Sequence, residues 1–147
     1  MNKFSTFIVL TILLSLFHVP SAAPSQFPSA HGYWEGNWGG PTPFNVYLEP
    51  GKDGAMTGTI TWSLQYFDNG TGKMADTYPK EFLRGTWNEK TGVLILNTTG
   101  EEDPYGLLSP GYYQMQMDAS GAVMKGFTSS KSNGYFQTEI EMSRIRT

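Results

Sequence analysis

The sequence predicts an all-β domain, an eight-stranded antiparallel up-and-down β-barrel. Three observations lead to this prediction. Apolar and polar residues alternate with a period of two along much of the chain, turn residues recur between these segments, and no segment has a sustained helical period. Eight antiparallel strands can close into a barrel that leaves no unpaired sheet edge. A β-sandwich is the alternative, because it is also built from short alternating strands.

The clearest strand signal lies between Asp53 and Phe67. Asp53-Gly54 is a hairpin turn signal, and the residues after it alternate with threonine, serine and glutamine. Six residues are therefore expected on one face of this strand: Met56, Gly58, Ile60, Trp62, Leu64 and Tyr66. A single strand of about 12 residues spans roughly 40 Å, and this length suits a strongly twisted or closed sheet.

The first half of the chain supplies three more predicted strands. Residues 32–38 place two tryptophans on one face, and the Gly-Gly-Pro-Thr-Pro segment at 39–43 is a turn that no strand crosses. Residues 44–49 place Phe, Val and Leu on one face. Residues 80–88 alternate Leu, Gly and Trp with Arg, Thr and Asn. Each of these segments is bounded by glycine, proline or a polar turn.

The second half of the chain adds four predicted strands. Residues 93–96 are apolar on both faces, and their short length and the preceding turn favour a strand over a buried helix. Residues 112–118 alternate Tyr and Met with Gln, and residues 123–129 follow an Ala-Ser-Gly turn. Residues 135–146 form the last strand, directly after Asn-Gly, which is the strongest two-residue hairpin signal in the chain.

The first 23 residues are predicted to be a signal peptide. Lys3 supplies a basic start, residues 4–19 are mostly apolar, and the Pro-Ser-Ala-Ala segment at 20–23 has the small residues of a cleavage site. We therefore expect a secreted, extracellular protein that has no membrane association once the signal is removed. Residues 24–31 are rich in proline and serine and are expected to form a flexible leader, and residues 32–147 form the barrel domain.

The composition argues against several classes of function. The chain has 13 acidic and 10 basic residues and no basic cluster, so we expect no nucleic-acid partner. It has no cysteine, so the domain is held by its core and its strand pairing alone. His31 is the only histidine after the signal peptide, and this argues against a histidine-based catalytic triad or a multi-histidine metal site. Neither enzyme activity nor a cofactor or metal is expected.

The upper half of the lumen is predicted to bind a ligand. Antiparallel strands alternate in direction, so the two long links, 68–79 and 98–110, lie at one end of the barrel, which we call the mouth, and the tight turns lie at the other end, the base. Seven residues are predicted to contact the ligand: Trp38, Phe44, Trp62, Leu64, Tyr66, Tyr113 and Phe136. The predicted function is binding of a small apolar or amphipathic molecule in the lumen.

A fully packed lumen is the competing interpretation. Burying each large apolar side chain stabilises a domain by roughly 1.5–3 kcal/mol, so the same residues would serve equally as core. Four inward glycines favour open space, although glycines also serve as bend points in curved strands: Gly36, Gly58, Gly85 and Gly126. The loop at 105–110 carries apolar residues at the mouth, where it could cover a ligand as a lid or simply pack.

Two other functions are compatible with the sequence. One is a carbohydrate- or surface-binding module that uses aromatic residues on the outer face or rim: Tyr47, Phe67, Tyr112 and Tyr135. The other is a structural extracellular protein whose barrels self-associate, and the oligomeric state is left open. Two Asn-x-Thr tripeptides, at Asn69 and Asn97, are candidate glycosylation sites near the mouth.

The segment Gly32-Tyr33-Trp34, taken with Arg144, resembles the calycin pattern. In that superfamily, which includes lipocalins and avidin-like proteins, the indole of a Gly-x-Trp closes the barrel base and a basic residue of the last strand covers it. The resemblance implies that Trp34 and Arg144 meet at the base as a cation–π pair. It also implies a small ligand in the barrel.

The hairpin at 53–59 and the length of the chain are similar to those of avidin-like barrels. The biotin-binding residues of that family have no match, however. Glu35-Gly36 follows the base tryptophan, and Ile60 and Trp62 stand where tyrosine and serine are needed. The resemblance therefore implies an avidin- or lipocalin-like barrel and does not imply biotin as its ligand.

Overall fold

The structure is a computed structural model that describes residues 26–109, 111–130 and 137–145. The predicted signal peptide and two predicted site residues, Tyr135 and Phe136, lie outside the described residues. The described residues form ten β-strands: β1 Gly32–Trp38, β2 Thr42–Pro50, β3 Ala55–Trp62, β4 Leu64–Asp68, β5 Lys73–Thr77, β6 Lys80–Asn88, β7 Val93–Glu102, β8 Gly111–Met117, β9 Val123–Ser130 and β10 Gln137–Arg144.

Eight of these strands close into an antiparallel barrel. The order around the barrel is β1-β10-β9-β8-β7-β6-β3-β2, and the first and last strands pair from Trp34↔Arg144 to Trp38↔Ile140. Strands β4 and β5 form a separate two-stranded sheet. The prediction of an eight-stranded up-and-down barrel is confirmed, and the barrel excludes the sandwich alternative.

The prediction of one long strand over residues 56–67 is wrong, because the chain leaves the barrel at Ser63. The Trp62 N–H donates to Pro79 O at 3.0 Å, and the Ser63 N–H donates to Pro43 O at 3.0 Å. Proline has no N–H with which to continue a ladder. The ladders of β3 with β2 and β6 therefore end at Trp62 and Thr61, and the chain beyond Ser63 pairs with β5 as a hairpin instead.

The period-two alternation of the sequence becomes the barrel core. Inward residues of all eight barrel strands are buried, and in the lower and middle lumen they pack into one cluster. Five methionines belong to the buried set of the described residues: Met56, Met115, Met117, Met124 and Met142. Methionine is flexible and fills irregular space well, which suits a narrow lumen.

The inward glycines mark close strand contacts and leave little lumen space. A Cβ atom at Gly85 would lie 1.7 Å from Ile95 O, and one at Gly126 would lie 1.9 Å from Gln114 O. Both atoms belong to the neighbouring backbone, so a side chain at either position would push two strands apart. These glycines allow the strands to bend and approach each other. The interpretation that they keep the lumen open is therefore not supported.

Arg144 covers the base of the barrel. Its Cζ lies 4.3 Å from the ring centroid of Trp34, which is completely buried. The guanidinium donates to three carbonyl oxygens, Ser29 O and His31 O at 2.6 Å each and Gly121 O at 3.0 Å. A planar guanidinium can make all these contacts at once because its donors point in fixed directions.

Residues 26–31 lie across this base. Phe27 packs against the core, and its N–H donates to Glu89 O at 2.8 Å. Ala30 is fully buried, and its carbonyl accepts from Trp34 Nε1 at 3.0 Å. The segment that precedes β1 therefore closes the base together with Arg144.

We expect Gly85→Ala to lower the free energy of unfolding by at least about 2 kcal/mol, because the backbone of β7 must move to admit the methyl group. Gly100→Ala in β7 is the matched control, since a Cβ atom there would meet only Phe82 Cδ2 at 3.6 Å. Urea denaturation of both variants tests this expectation. Equal effects of the two substitutions would contradict the close-contact explanation.

We expect Arg144→Met to lower the free energy of unfolding by about 2–3 kcal/mol, since it removes charge-assisted hydrogen bonds to three carbonyls and the cover of Trp34. Arg84→Met, on the exposed face of β6, is the matched control and should cost less than about 1 kcal/mol. Thermal and urea unfolding measure both changes. A loss at Arg84 as large as that at Arg144 would argue against the base contact.

Candidate functional site

A cavity of about 320 Å³ opens at the mouth of the barrel. Its wall combines the mouth ends of the barrel strands with the first residue of β4 and the loop between β7 and β8. The lining residues are Trp38, Thr42, Trp62, Leu64, Glu81, Leu107, Leu108, Ser109, Tyr113, Thr128, Ser130 and Thr138. Most of the wall is apolar or aromatic, with hydroxyl groups and one carboxyl group distributed over it.

Four of the seven predicted ligand-contact residues line this cavity: Trp38, Trp62, Leu64 and Tyr113. Phe44 lies behind the wall, where it is 2% exposed and its ring centroid is 5.3 Å from that of Trp62. Tyr66 lies in β4, outside the cavity wall. Phe136 is outside the described residues. The alternation of side-chain direction along a strand thus identifies residues of the upper lumen. It does not distinguish the residues that line the cavity from those that pack behind them.

Two tryptophans form an aromatic corner at the mouth. The ring of Trp38 meets that of Trp62 edge-on, with centroids 6.1 Å apart and planes at 81°. Trp62 is 6% exposed, whereas Trp38 is 38% exposed at the rim. Phe44 supports Trp62 from behind. Trp62 therefore forms a fixed wall, and Trp38 remains accessible from solvent.

Glu81 places a carboxyl group in the cavity wall, and the sequence analysis missed it. The residue is 2% exposed. Its Oε2 accepts hydrogen bonds from Thr98 Oγ1 at 2.6 Å and from Tyr113 Oη at 2.9 Å. A signal was available, because Glu81 stands two residues before Leu83 and so shares the inward face of β6. The predicted inward set began at Leu83 because a charged residue is not expected inside a barrel.

Burial raises the pKa of the Glu81 carboxyl group, and the negative charge of Glu101 adds to that effect. The hydrogen bonds from Thr98 and Tyr113 oppose it by stabilising the carboxylate. Burial, together with Glu81, also raises the pKa of Tyr113, so the phenol stays protonated and can donate. On balance the pKa of the Glu81 carboxyl group lies above its usual value.

The indole N–H of Trp62 points toward the same group. Its proximity stabilises the carboxylate and so lowers the pKa of Glu81, against the larger rise caused by burial. It is buried, however, and makes no hydrogen bond of normal geometry within the described part of the chain. The polar end of the cavity is therefore centred on Glu81, with donors from β3, β7 and β8 directed at one carboxyl group.

The β7–β8 loop covers part of the mouth. The Asp103 carboxylate accepts the N–H groups of Tyr105 and Leu108 and so shapes the loop. The ring of Tyr105 stacks on that of Tyr66 with centroids 3.7 Å apart, and a hydrogen bond between the two side chains raises the pKa of Tyr66 to about 12. The loop residues Leu107 and Leu108 then line the cavity. This loop and the β4–β5 hairpin contact each other at the mouth.

The residues predicted for an outer binding surface do not share one face. Tyr47 lies on β2 and Tyr112 on β8, which are on opposite sides of the barrel. Phe67 lies on β4, outside the barrel. A single glycan could not contact both tyrosines. The two predicted glycosylation sites, Asn69 and Asn97, are both exposed.

Among residues 26–109, 111–130 and 137–145, no three His, Asp or Glu side chains come together as a metal site. The same residues contain no helix with the length and apolar character needed to span a membrane.

Glu81 should make stability depend on pH in a recognisable direction. Its folded-state pKa is raised above the unfolded value of about 4.3, so the folded protein retains a proton that the unfolded chain releases. Its contribution is fully present below about pH 4 and is lost as the pH rises through the folded pKa. The difference in free energy of unfolding, wild type minus Glu81→Gln, should therefore fall between about pH 4 and pH 8.

Urea denaturation at a series of pH values measures this difference. Glu35→Gln, an exchange on the exposed face of β1, provides the baseline. A difference curve for Glu81→Gln that is flat, or that rises with pH, would show that the carboxyl group does not retain its proton on folding.

Comparison with protein-family models, with curated proteins and with solved structures finds no match for this chain.

Proposed function

We propose that this protein is a secreted β-barrel that binds a small apolar or amphipathic molecule in the cavity at its mouth. The observation that carries the proposal is the uneven filling of the lumen. The lower and middle lumen are packed, whereas about 320 Å³ lies open at the mouth. Ligand sites are typically concave, mostly apolar and supplied with a few polar groups, and this cavity has all three properties.

The size of the cavity limits the ligand. A volume of about 320 Å³ corresponds to about ten water molecules at liquid density. This space suits a compact molecule with roughly ten non-hydrogen atoms and is small for a long-chain lipid. The corner formed by Trp38 and Trp62 offers flat surfaces for a ring, and hydroxyl groups such as that of Thr128 offer hydrogen bonds.

A calycin-like relationship and secretion are parts of the same proposal. The eight-stranded closed barrel agrees with a calycin at a coarse level. The contact of Arg144 with Trp34 at the base supports the finer assignment, because it joins the first strand to the last. Secretion rests on residues 1–23, which lie outside the described residues.

We expect 2-phenylethanol, a neutral amphipathic probe of suitable size, to bind saturably and to alter tryptophan emission. Trp62→Ala should weaken binding at least about tenfold, because it removes most of one wall. Phe127→Ala, on the exposed face of β9, is the matched control. Isothermal titration calorimetry measures the affinities of all three proteins.

Absence of a saturable response from 2-phenylethanol and from a panel of neutral compounds of similar size would overturn the proposal. Equal affinities of the Trp62→Ala and wild-type proteins would show that binding takes place elsewhere on the barrel.

A further inference from the structure

Within the part of the chain that the structure describes, the buried carboxyl group of Glu81 has no counter-charge. The ion pairs of the described residues join Lys80 to Glu102 and Lys125 to Glu141, all on the outside of the barrel. Both hydrogen bonds that Glu81 accepts end on Oε2, and Oε1 receives none from the described residues. A buried charge is costly unless it is paired. Apart from the nearby Trp62 indole N–H, which makes no hydrogen bond of normal geometry, Oε1 is therefore left to a group inside the cavity.

The surroundings of Glu81 favour a positive charge. The cavity wall that contains Glu81 also includes Trp38, Trp62 and Tyr113, and aromatic faces attract cations. An ammonium group is a multiple donor that can bond to a carboxylate at short distance. Leu107 and Leu108 cover the opposite side with apolar surface, which suits a hydrocarbon body. The wall thus combines one acidic group with aromatic and aliphatic surface.

We infer that the cavity takes a small organic cation, a primary amine on a compact aromatic or aliphatic body, with its ammonium group paired to Glu81. This inference rests on the proposed function, since it names the ligand class of the same cavity. The ammonium donates to Oε1, and the body lies against Trp62 and Leu108. Thr98 and Tyr113 hold the carboxyl group in place through Oε2.

Pairing of the ammonium group with Glu81 links ligand binding to the protonation state of that carboxyl group. The groups that face or influence Glu81 are Trp62 from β3, Thr98 and Glu101 from β7, and Tyr113 from β8. Of these, only Glu101 carries a charge, and it is negative. Burial holds the pKa of Glu81 above its usual value, so the carboxyl group must release its proton before it pairs with an ammonium group. Affinity for an amine should therefore rise as the pH rises from about 5 to 8.

A matched series of probes tests the inference in the wild-type protein. The series consists of 2-phenylethylamine, 2-phenylethanol and 3-phenylpropanoate, which share a ring and differ in the charge of the polar end. We expect the amine to bind at least about tenfold more tightly than the alcohol at pH 7.5, and the carboxylate to bind more weakly than either. We also expect the ratio of amine to alcohol affinity to fall as the pH is lowered.

In Glu81→Gln the amine and the alcohol should bind with affinities that differ by less than about twofold. Glu139→Gln, on the exposed face of β10, is the matched control and should keep the wild-type ratio. The pH series needs no variant, so it tests the pairing even if Glu81→Gln does not fold. Calorimetry of amine binding in two buffers of different ionisation enthalpy should show proton release that diminishes as the pH rises.

The inference and the proposed function fail in different ways. Wild-type protein that binds the alcohol or the carboxylate as tightly as the amine would overturn the inference and leave the carrier proposal intact. An amine preference that persists unchanged in Glu81→Gln would place the cation elsewhere and also overturn it. Absence of binding by all three probes would overturn the carrier proposal itself.

Discussion

Closure of the sheet is the constraint on which the rest of this structure depends. The chain has no cysteine, so backbone ladders and a narrow packed lumen hold the domain together. The first strand must meet the last, and it does so from Trp34↔Arg144 to Trp38↔Ile140. Closure with only eight strands requires strong bending. Glycines such as Gly85 permit it by allowing the neighbouring backbone to approach.

Closure also explains why the two ends of the barrel differ. At the base the turns are tight, and residues 26–31, Trp34 and Arg144 fill the opening through hydrogen bonds and apolar contact. At the mouth, β3 loses both neighbours beside Pro43 and Pro79, so the chain leaves the barrel as a hairpin. Smaller polar side chains then face inward near the rim. Space remains at the mouth beside the core residues Trp62 and Tyr113, where residues of the β7–β8 loop complete the wall.

Glu81 connects this architecture to a function. A glutamate inside a small barrel is a cost to stability unless something offsets it. Hydrogen bonds from Thr98 and Tyr113 offset part of that cost, and they also fix the direction of the carboxyl group. The same group lines the cavity at the mouth. The proposed binding of a ligand there gives this buried carboxyl group a role that packing alone does not.

The strand plan could be predicted from the sequence because alternation and turn residues are local properties. Period-two patterns located six of the eight barrel strands to within two residues and placed Trp62 and Tyr113 on the inner face, as the structure does. The strand predicted at 93–96 continues to Glu102, and the strand that follows Asp53-Gly54 was extended too far. Alternation continues through Ser63, and only the neighbouring ladders, which end near Pro43 and Pro79, decide where the strand leaves the barrel.

Other features depended on contacts between distant segments. The register shift between Phe82 and Leu83, the position of Tyr66 against Tyr105, and the burial of Glu81 all result from pairings that no short window contains. The sequence by itself determined the alternation of the two faces along each strand, since successive side chains in a strand point to opposite sides. Tertiary structure decided which inward residues line open space, because a cavity is set by the side chains that meet across the lumen from different strands.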